Sequence, residues 1–238
     1  MSNSHLLRMP RTWALALPLL AAILTLPQAR AQEAGAIERI TGNATISNAA
    51  NQTRPARGGE AVQAGETVTT DNGGEVMLKL KDESLMLLRP NSQLKLTEFR
   101  YENKPTDGVF ASLFKGTVRA VTGLIGKSRP SSVRLATPTA TVGIRGTDFE
   151  LAIIEQDGSD GRAGTYDYVH SGATSLQIAS GQSLDVDPEQ TGLALTNPRP
   201  GEEPLQLLRD RPAFLRGGGF DALIMQLTQP MQMMPRMR

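Results

Sequence analysis

The sequence predicts an all-β fold: a compact β-sandwich or roll of short strands with solenoid-like nine-residue regularity, followed by a loosely ordered C-terminal tail. Between residues 35 and 186, short runs of alternating apolar and polar side chains are interrupted by Gly, Asn, Asp or Pro, as expected for half-buried strands joined by turns. The 3.6-residue spacing of an amphipathic helix is missing from the same stretch. Finally, Val76, Leu85 and Leu94 recur nine apart, as do Leu78, Leu87 and Leu96, punctuated at the same interval by Gly73, Asp82 and Asn91. Nine residues accommodate a strand of about five and a turn of about four. Each unit is then expected to place the same two aliphatic side chains inward. Parallel solenoid rungs and antiparallel hairpins both satisfy this period.

Residues 1–31 read as an export signal. Arg8 and Arg11 precede a 14-residue apolar run at 13–26, interrupted by Pro18, and Ala29-Arg30-Ala31 supplies a small-x-small cleavage pattern. That run is too short for a helix crossing a bilayer, which needs about 20 residues. Removal of this segment, with Arg8, Arg11 and Arg30, leaves 207 residues carrying 22 basic and 24 acidic side chains, without Trp13. The expected location is the periplasm or the extracellular side, with no membrane span in the mature chain.

Strands are expected at 36–47, 66–70, in three rungs across 75–96, and at 111–121, 132–137, 148–154, 165–170 and 175–178. The segment DGSDGRAG at 157–164 is a turn or loop. The three prolines and one glycine of NPRPGEEP at 197–204 mark an extended linker, set at 189–204. Beyond it, 205–208 and 214–215 form short amphipathic pieces, and 220–227 has room for a helical turn or two. Five of the nine methionines lie between Met225 and Met237.

Charge and composition exclude several classes. A formal net charge of +1 spread over both signs gives no basic stripe for nucleic acid. Zero cysteines remove disulfides, thiolate metal sites and a Cys nucleophile. His170 is the one histidine after residue 31, expected at a strand end before a turn, which leaves a nucleophilic triad without a base. Asp157 with Asp160, and Asp185 with Asp187, lack the ligand pattern of a Ca²⁺ loop, and Gly158 and Gly161 explain the first pair as hairpin chemistry. Asn72-Gly73-Gly74 and Arg57-Gly58-Gly59 lack the strand-to-helix setting of a phosphate cradle and read as turns. Met231, Met233, Met234 and Met237 offer soft thioethers for Cu(I) or, equally, an adaptable docking tail. Tyr166 and Tyr168, at strand spacing, share a face, as a contact strip or as cross-strand packing. No catalytic residue, metal or cofactor is expected.

The segment TPTATVGIRGTDF at 137–149 resembles the motif of FecR domains, in which Thr-Pro leads through small and β-branched residues to Arg-Gly-Thr and a buried Phe. Gly42-Asn43-Ala44, Gly65-Glu66 with Thr69-Thr70, the 74–80 strand, the acidic-Ser-Leu unit at 82–87 and Phe114-Lys115-Gly116-Thr117-Val118 follow in the family's order. The resemblance covers 36–150, with 151–188 as a β extension and 205–238 as the tail. In physical terms, Pro138 pushes Thr137 into an extended conformation, Gly143 and Gly146 permit positive φ or close approach at a corner, and Arg145 suits a clamp onto Asp148 or Glu150. Thr137, Pro138, Gly143, Arg145, Gly146, Thr147 and Phe149 are therefore structural motif residues. The resemblance implies regulators that relay receptor occupancy across the inner membrane to a sigma factor. Without a second apolar span, this sequence is expected to be a non-enzymatic exported binding or scaffold protein with a protein partner or a cell-envelope polymer. The alternatives are a sensor acting with a separate anti-sigma protein and TonB-dependent receptor, and a carbohydrate-active enzyme using Asp148, Asp185 and Asp187.

Overall fold

A computed structural model describes residues 32–215, apart from the side chain of Thr147. The export segment, the piece at 220–227 and the Met cluster lie outside the described residues. Strands account for 55% of the structure and helix for 6%, so the all-β expectation is met. The chain forms β1 (Glu33–Thr41), β2 (Ala44–Ser47), β3 (Thr53–Pro55), β4 (Ala61–Gln63), β5 (Thr67–Thr70), β6 (Glu75–Leu80), β7 (Leu85–Leu88), β8 (Gln93–Arg100) and β9 (Gly108–Val121). A short helix α1 (Leu124–Ser128) precedes β10 (Val133–Ala136), β11 (Thr141–Ile154), β12 (Gly164–Gln177), β13 (Ser183–Val186), β14 (Thr191–Leu195) and β15 (Leu205–Leu208).

Every pairing is antiparallel except β9 with β10, which the α1 crossover makes parallel. From β1 the chain runs into β2, β2 pairs β5, β5 pairs β8, β8 pairs β9, β9 pairs β7, β7 pairs β6, and β6 returns to β1. The sheet thus closes into a barrel, with further strands outside it.

Closure depends on β9 changing partners. Its first half pairs β8 and β10; its second half pairs β7 and β11. At the changeover Gly116 takes φ +81, and a Cβ there would lie 2.5 Å from Ser92 Cα and 2.8 Å from Asn91 O. Ser92 Oγ accepts the Thr117 N–H at 2.9 Å, and the Ser92 N–H donates to Thr70 Oγ1 at 2.9 Å. Thr70 Oγ1 in turn donates to Arg89 O at 2.7 Å. Three strands are therefore tied at the point where the long one bends.

The nine-residue period has a different structural meaning from the expected stack. β6 and β7 form a hairpin whose facing residues include Val76 with Leu88 and Leu78 with Met86. Even-numbered positions of both strands consequently share one face. A shift of nine changes parity, so Leu85 and Leu87 do not join Val76 and Leu78. The main core takes Val76, Leu78, Leu80, Met86, Leu88, Leu94 and Leu96, whereas Leu87 packs with Met77 and Val121 on the other side. β7 is buried on both faces, and β8 leaves the hairpin to pair with β5 and β9.

The unit at 82–87 holds α1. Asp82 accepts the Ser84 N–H at 3.1 Å and the Ser84 hydroxyl at 2.9 Å, while Ser84 Oγ accepts the Gly123 N–H at 2.9 Å and Asp82 O the Leu124 N–H at 2.7 Å. Asp82 is buried, and that burial pushes its carboxyl up.

Other elements differ from the sequence reading. β11 begins at Thr141, so most of the 137–149 motif is strand. The expected strands at 165–170 and 175–178 form one strand, β12, in which Gly172 at φ +82 absorbs the expected turn as a bulge. The segment set as a linker contains β14, all five of whose residues are buried, and 205–208 is strand β15 paired to it. Gly164 and Gly192 let these backbones approach: a Cβ on either would meet a neighbouring strand or Val186. The loop at 157–164 is the hairpin turn between β11 and β12, with Gly158 and Gly161 bridged.

Gly116→Val is predicted to cost about 2–4 kcal/mol or to prevent folding, from positive-φ strain plus overlap with Ser92. Ser92→Ala should cost about 1–3 kcal/mol by leaving buried backbone groups unpaired. Urea denaturation followed by circular dichroism measures both, and a change below about 0.5 kcal/mol for Gly116→Val would contradict the changeover role.

Candidate functional site

One face of the sheet concentrates charge. Strand register aligns Met77, Leu87, Arg119, Glu150, Tyr168, Thr191 and Leu208 in a row across β6, β7, β9, β11, β12, β14 and β15. Glu150, at 0% exposure, is the centre of this row. Arg89 Nε donates to its Oε1 at 2.8 Å, Arg211 Nη2 donates to its Oε2 at 2.9 Å, and His170 Nε2 stands 3.8 Å from Oε2. Burial pushes the Glu150 carboxyl up, but His170, Arg89 and Arg211 together outweigh it and hold it below the ordinary carboxylate value. Next to it, Arg119 grips Asp148 through both oxygens at 2.9 and 2.7 Å.

The segment after β15 covers this cluster. Arg211 stacks 4.2 Å above the Tyr168 ring and donates to Leu215 O; Phe214 meets Tyr166 edge-to-face at 5.0 Å; Leu215 is buried. Tyr166 and Tyr168 share a face as their spacing requires, but they are 3% and 5% exposed. The proposed contact strip thus faces the chain's own C-terminal arm, because Phe214 and Arg211 occupy it. His170 lies inside β12, edge-to-face with Tyr168 at 4.9 Å, rather than at a strand end.

The motif residues have individual placements. Thr137-Pro138-Thr139-Ala140 is the turn between β10 and β11, closed by the Thr137 N–H onto Ala140 O at 2.8 Å. The hydroxyls of Thr137 and Thr139 meet that of buried Thr165 at 2.7 and 2.5 Å, bringing two distant segments together. Gly143 has ordinary space around it, with Ser175 O 3.8 Å from a notional Cβ. Gly146 does take φ +64, at the bulge between Arg145 and Asp148, but no neighbour crowds it. Phe149 is fully buried. Thr147 falls in the same bulge. Arg145 pairs on the surface with Asp185 at 2.8 Å, not with Asp148 or Glu150, since the bulge separates it from them and those acids already hold other arginines. A second family feature, Gly65-Glu66, is also a clasp: Glu66 accepts Arg54 at 2.6 and 3.0 Å and the Gln63 N–H at 2.9 Å.

The acids weighed for chemistry are thereby divided. Asp148 and Asp185 each sit in a separate ion pair, and the backbone N–H of Asp187 donates to Gln190. Asp157 accepts the Ala163 N–H at 2.7 Å and forms an ion pair with Arg162 at 3.0 Å, the hairpin role read from the sequence. Among the described residues no group of three or more His, Asp or Glu side chains is placed to hold a metal.

Sequence reading missed Asp167, which points into the main core, fully buried. Its one hydrogen bond is from Thr174 Oγ1 at 2.6 Å; Oδ1 has no partner. Burial pushes its carboxyl up to about 7 from 3.8. Only the alternation of β12 could have placed it inward, because Tyr166 and Tyr168 flank it.

The folded chain keeps a proton on Asp167 that the unfolded chain releases near pH 3.8, so its contribution is full below that value and is lost as pH rises toward 7. Asp167→Asn should therefore raise the melting temperature relative to wild type more at pH 8.5 than at pH 5; parallel profiles would refute it. Glu150 has the opposite sign, stabilising above its ordinary 4.5 and losing that contribution as pH falls through its lowered value. Arg211→Ala should cost about 1–3 kcal/mol and open 209–215 to limited proteolysis, and unchanged protease resistance would exclude a clasp.

No curated protein matches the sequence. Two crystal structures of a protein from Parabacteroides distasonis ATCC 8503, assigned as an anti-sigma factor, align at 15% identity over 61% of this chain, with TM-scores of 0.47 (the 2.50 Å structure) and 0.45 (the 1.65 Å structure). The alignment spans 60% of those chains, and TM-scores of that size do not establish a common fold. The family model described as FecR protein matches residues 66–167, from the Arg54-clasped Glu66 to the buried Asp167.

Proposed function

We propose that this chain is an exported, non-enzymatic FecR-domain protein that binds a protein partner in envelope signalling. The observation that carries the reading is the engagement of its acids: Glu66, Asp148, Glu150 and Asp185 each face an arginine. Carboxylates held in this way brace a scaffold. A glycosidase pair instead needs two carboxyls facing one bond across about 5–9.5 Å, one of them with a raised pKa. The export signal read at 1–31 supports placing that partner in the cell envelope. In this role the barrel presents rigid strands to the partner, and the arm at 211–215 regulates access to the β11 and β12 face.

The test combines capture and turnover. The purified chain, cross-linked in a cell-envelope extract, is expected to yield a discrete envelope-protein adduct and to leave a labelled envelope glycan intact. Glycan turnover that is lost in Asp148→Asn or Asp185→Asn, with the circular dichroism spectrum preserved, would overturn the reading.

A further inference from the structure

A cleft of about 530 Å³ lies where β8, β9 and β10 run side by side, away from the ionic cluster under the arm. Its charge is set by Arg100 on β8 and Arg134 on β10, both exposed. Neither guanidinium forms a hydrogen bond or ion pair with another described residue. By contrast, Arg54, Arg89, Arg119, Arg129, Arg145, Arg162 and Arg211 all hold carboxylates.

Register explains the geometry. Arg100 faces Gly108 on β9, where a Cβ would stand 3.0 Å from Ser132 O, and Arg134 faces Phe110 one step along the same face. Half-buried Phe110 and the Ser132 carbonyl above Gly108 therefore lie between the two cations. The acid Asp107 at the cleft is already engaged, accepting the Glu102 and Lys104 N–H groups at 3.0 and 3.1 Å and facing Arg129 at 3.5 Å. Glu98, facing Phe110 from β8, is the remaining lining acid, one carboxylate against two arginines, and the Arg100 charge also reaches Glu102.

The two arginines are two strands and two residues apart, about 12 Å between backbones from standard strand spacings, within reach of convergence for two side chains of arginine length. Alternate side chains of an extended peptide repeat at about 6.8 Å on one face. We propose that the cleft binds an extended acidic segment of a protein partner, with carboxylates at alternate residues held by Arg100 and Arg134 and the side chains between them facing away from the sheet. Planar forks matched to carboxylates suit such a segment. The proposal rests on the binding role inferred above and names its surface and partner chemistry.

The probe is a fluorescein-labelled octapeptide of alternating Glu and Val, titrated into the purified chain and followed by anisotropy. Expected results are saturable binding, weakening at least tenfold in R100Q/R134Q, less than twofold change in R57Q at a distant exposed arginine, and loss between 50 and 300 mM salt. Equal binding to R100Q/R134Q, equal binding of a Lys-Val octapeptide, or stronger competition by polygalacturonate than by unlabelled peptide would overturn the proposal; the last would indicate an anionic glycan. If R100Q/R134Q lowers the melting temperature, R100K/R134K is read instead: it keeps the charge and loses the fork, and binding weakened threefold or more supports the proposal while unchanged binding refutes it. Peptide binding without an envelope-protein adduct would sink the signalling role and leave the cleft. An adduct without peptide binding would do the reverse.

Discussion

The barrel depends on one bend. β9 serves β8 and β10 before Gly116 and β7 and β11 after it, and no side chain fits where Ser92 crosses beneath. A glycine there removes the steric conflict, and the Ser92 and Thr70 hydroxyls satisfy the backbone groups that the change of partner would otherwise leave unpaired. Closing a sheet leaves fewer exposed edges, and this one bend permits the closure while keeping β9 continuous through the core.

Buried charge is handled by the same principle of local satisfaction. Arg54 with Glu66, Arg119 with Asp148, and Arg89 and Arg211 on Glu150 each join segments distant in sequence. Such pairs are weak sources of net stability because desolvation offsets most of the attraction, but losing one partner strands the other. They therefore act chiefly by fixing which segments meet. The arm at 211–215 follows this logic, since its arginine completes the ring around Glu150 and its Phe214 caps Tyr166. Arg100 and Arg134 are the contrast: equally basic, but without an internal acid, on an open face.

Strand identity was legible wherever alternation was regular. The 75–80, 93–100 and 108–121 strands follow from their aliphatic spacing, and the 157–161 turn from its glycines. The nine-residue period misled about facing because an antiparallel hairpin preserves parity and an odd shift reverses it. A run such as LMLL gives no alternation to correct the error, since β7 is covered on both sides. β14 was obscured for a related reason: TGLAL is short, fully buried and followed by prolines, so it carries no amphipathic signal. Of the candidate site, Tyr166 and Tyr168 were recognised as one face, but their cover came from residues more than 40 positions later.

Composition and local pattern by themselves determined an all-β chain without thiol chemistry, the FecR-like motif and most turns, because those properties depend on neighbours within a few residues. Tertiary structure alone decided the barrel closure, the pairing of Arg145 with Asp185 and the ring of cations around Glu150. Each of those depends on strand register, and register is set by the packing of the whole sheet, which no short window of sequence contains.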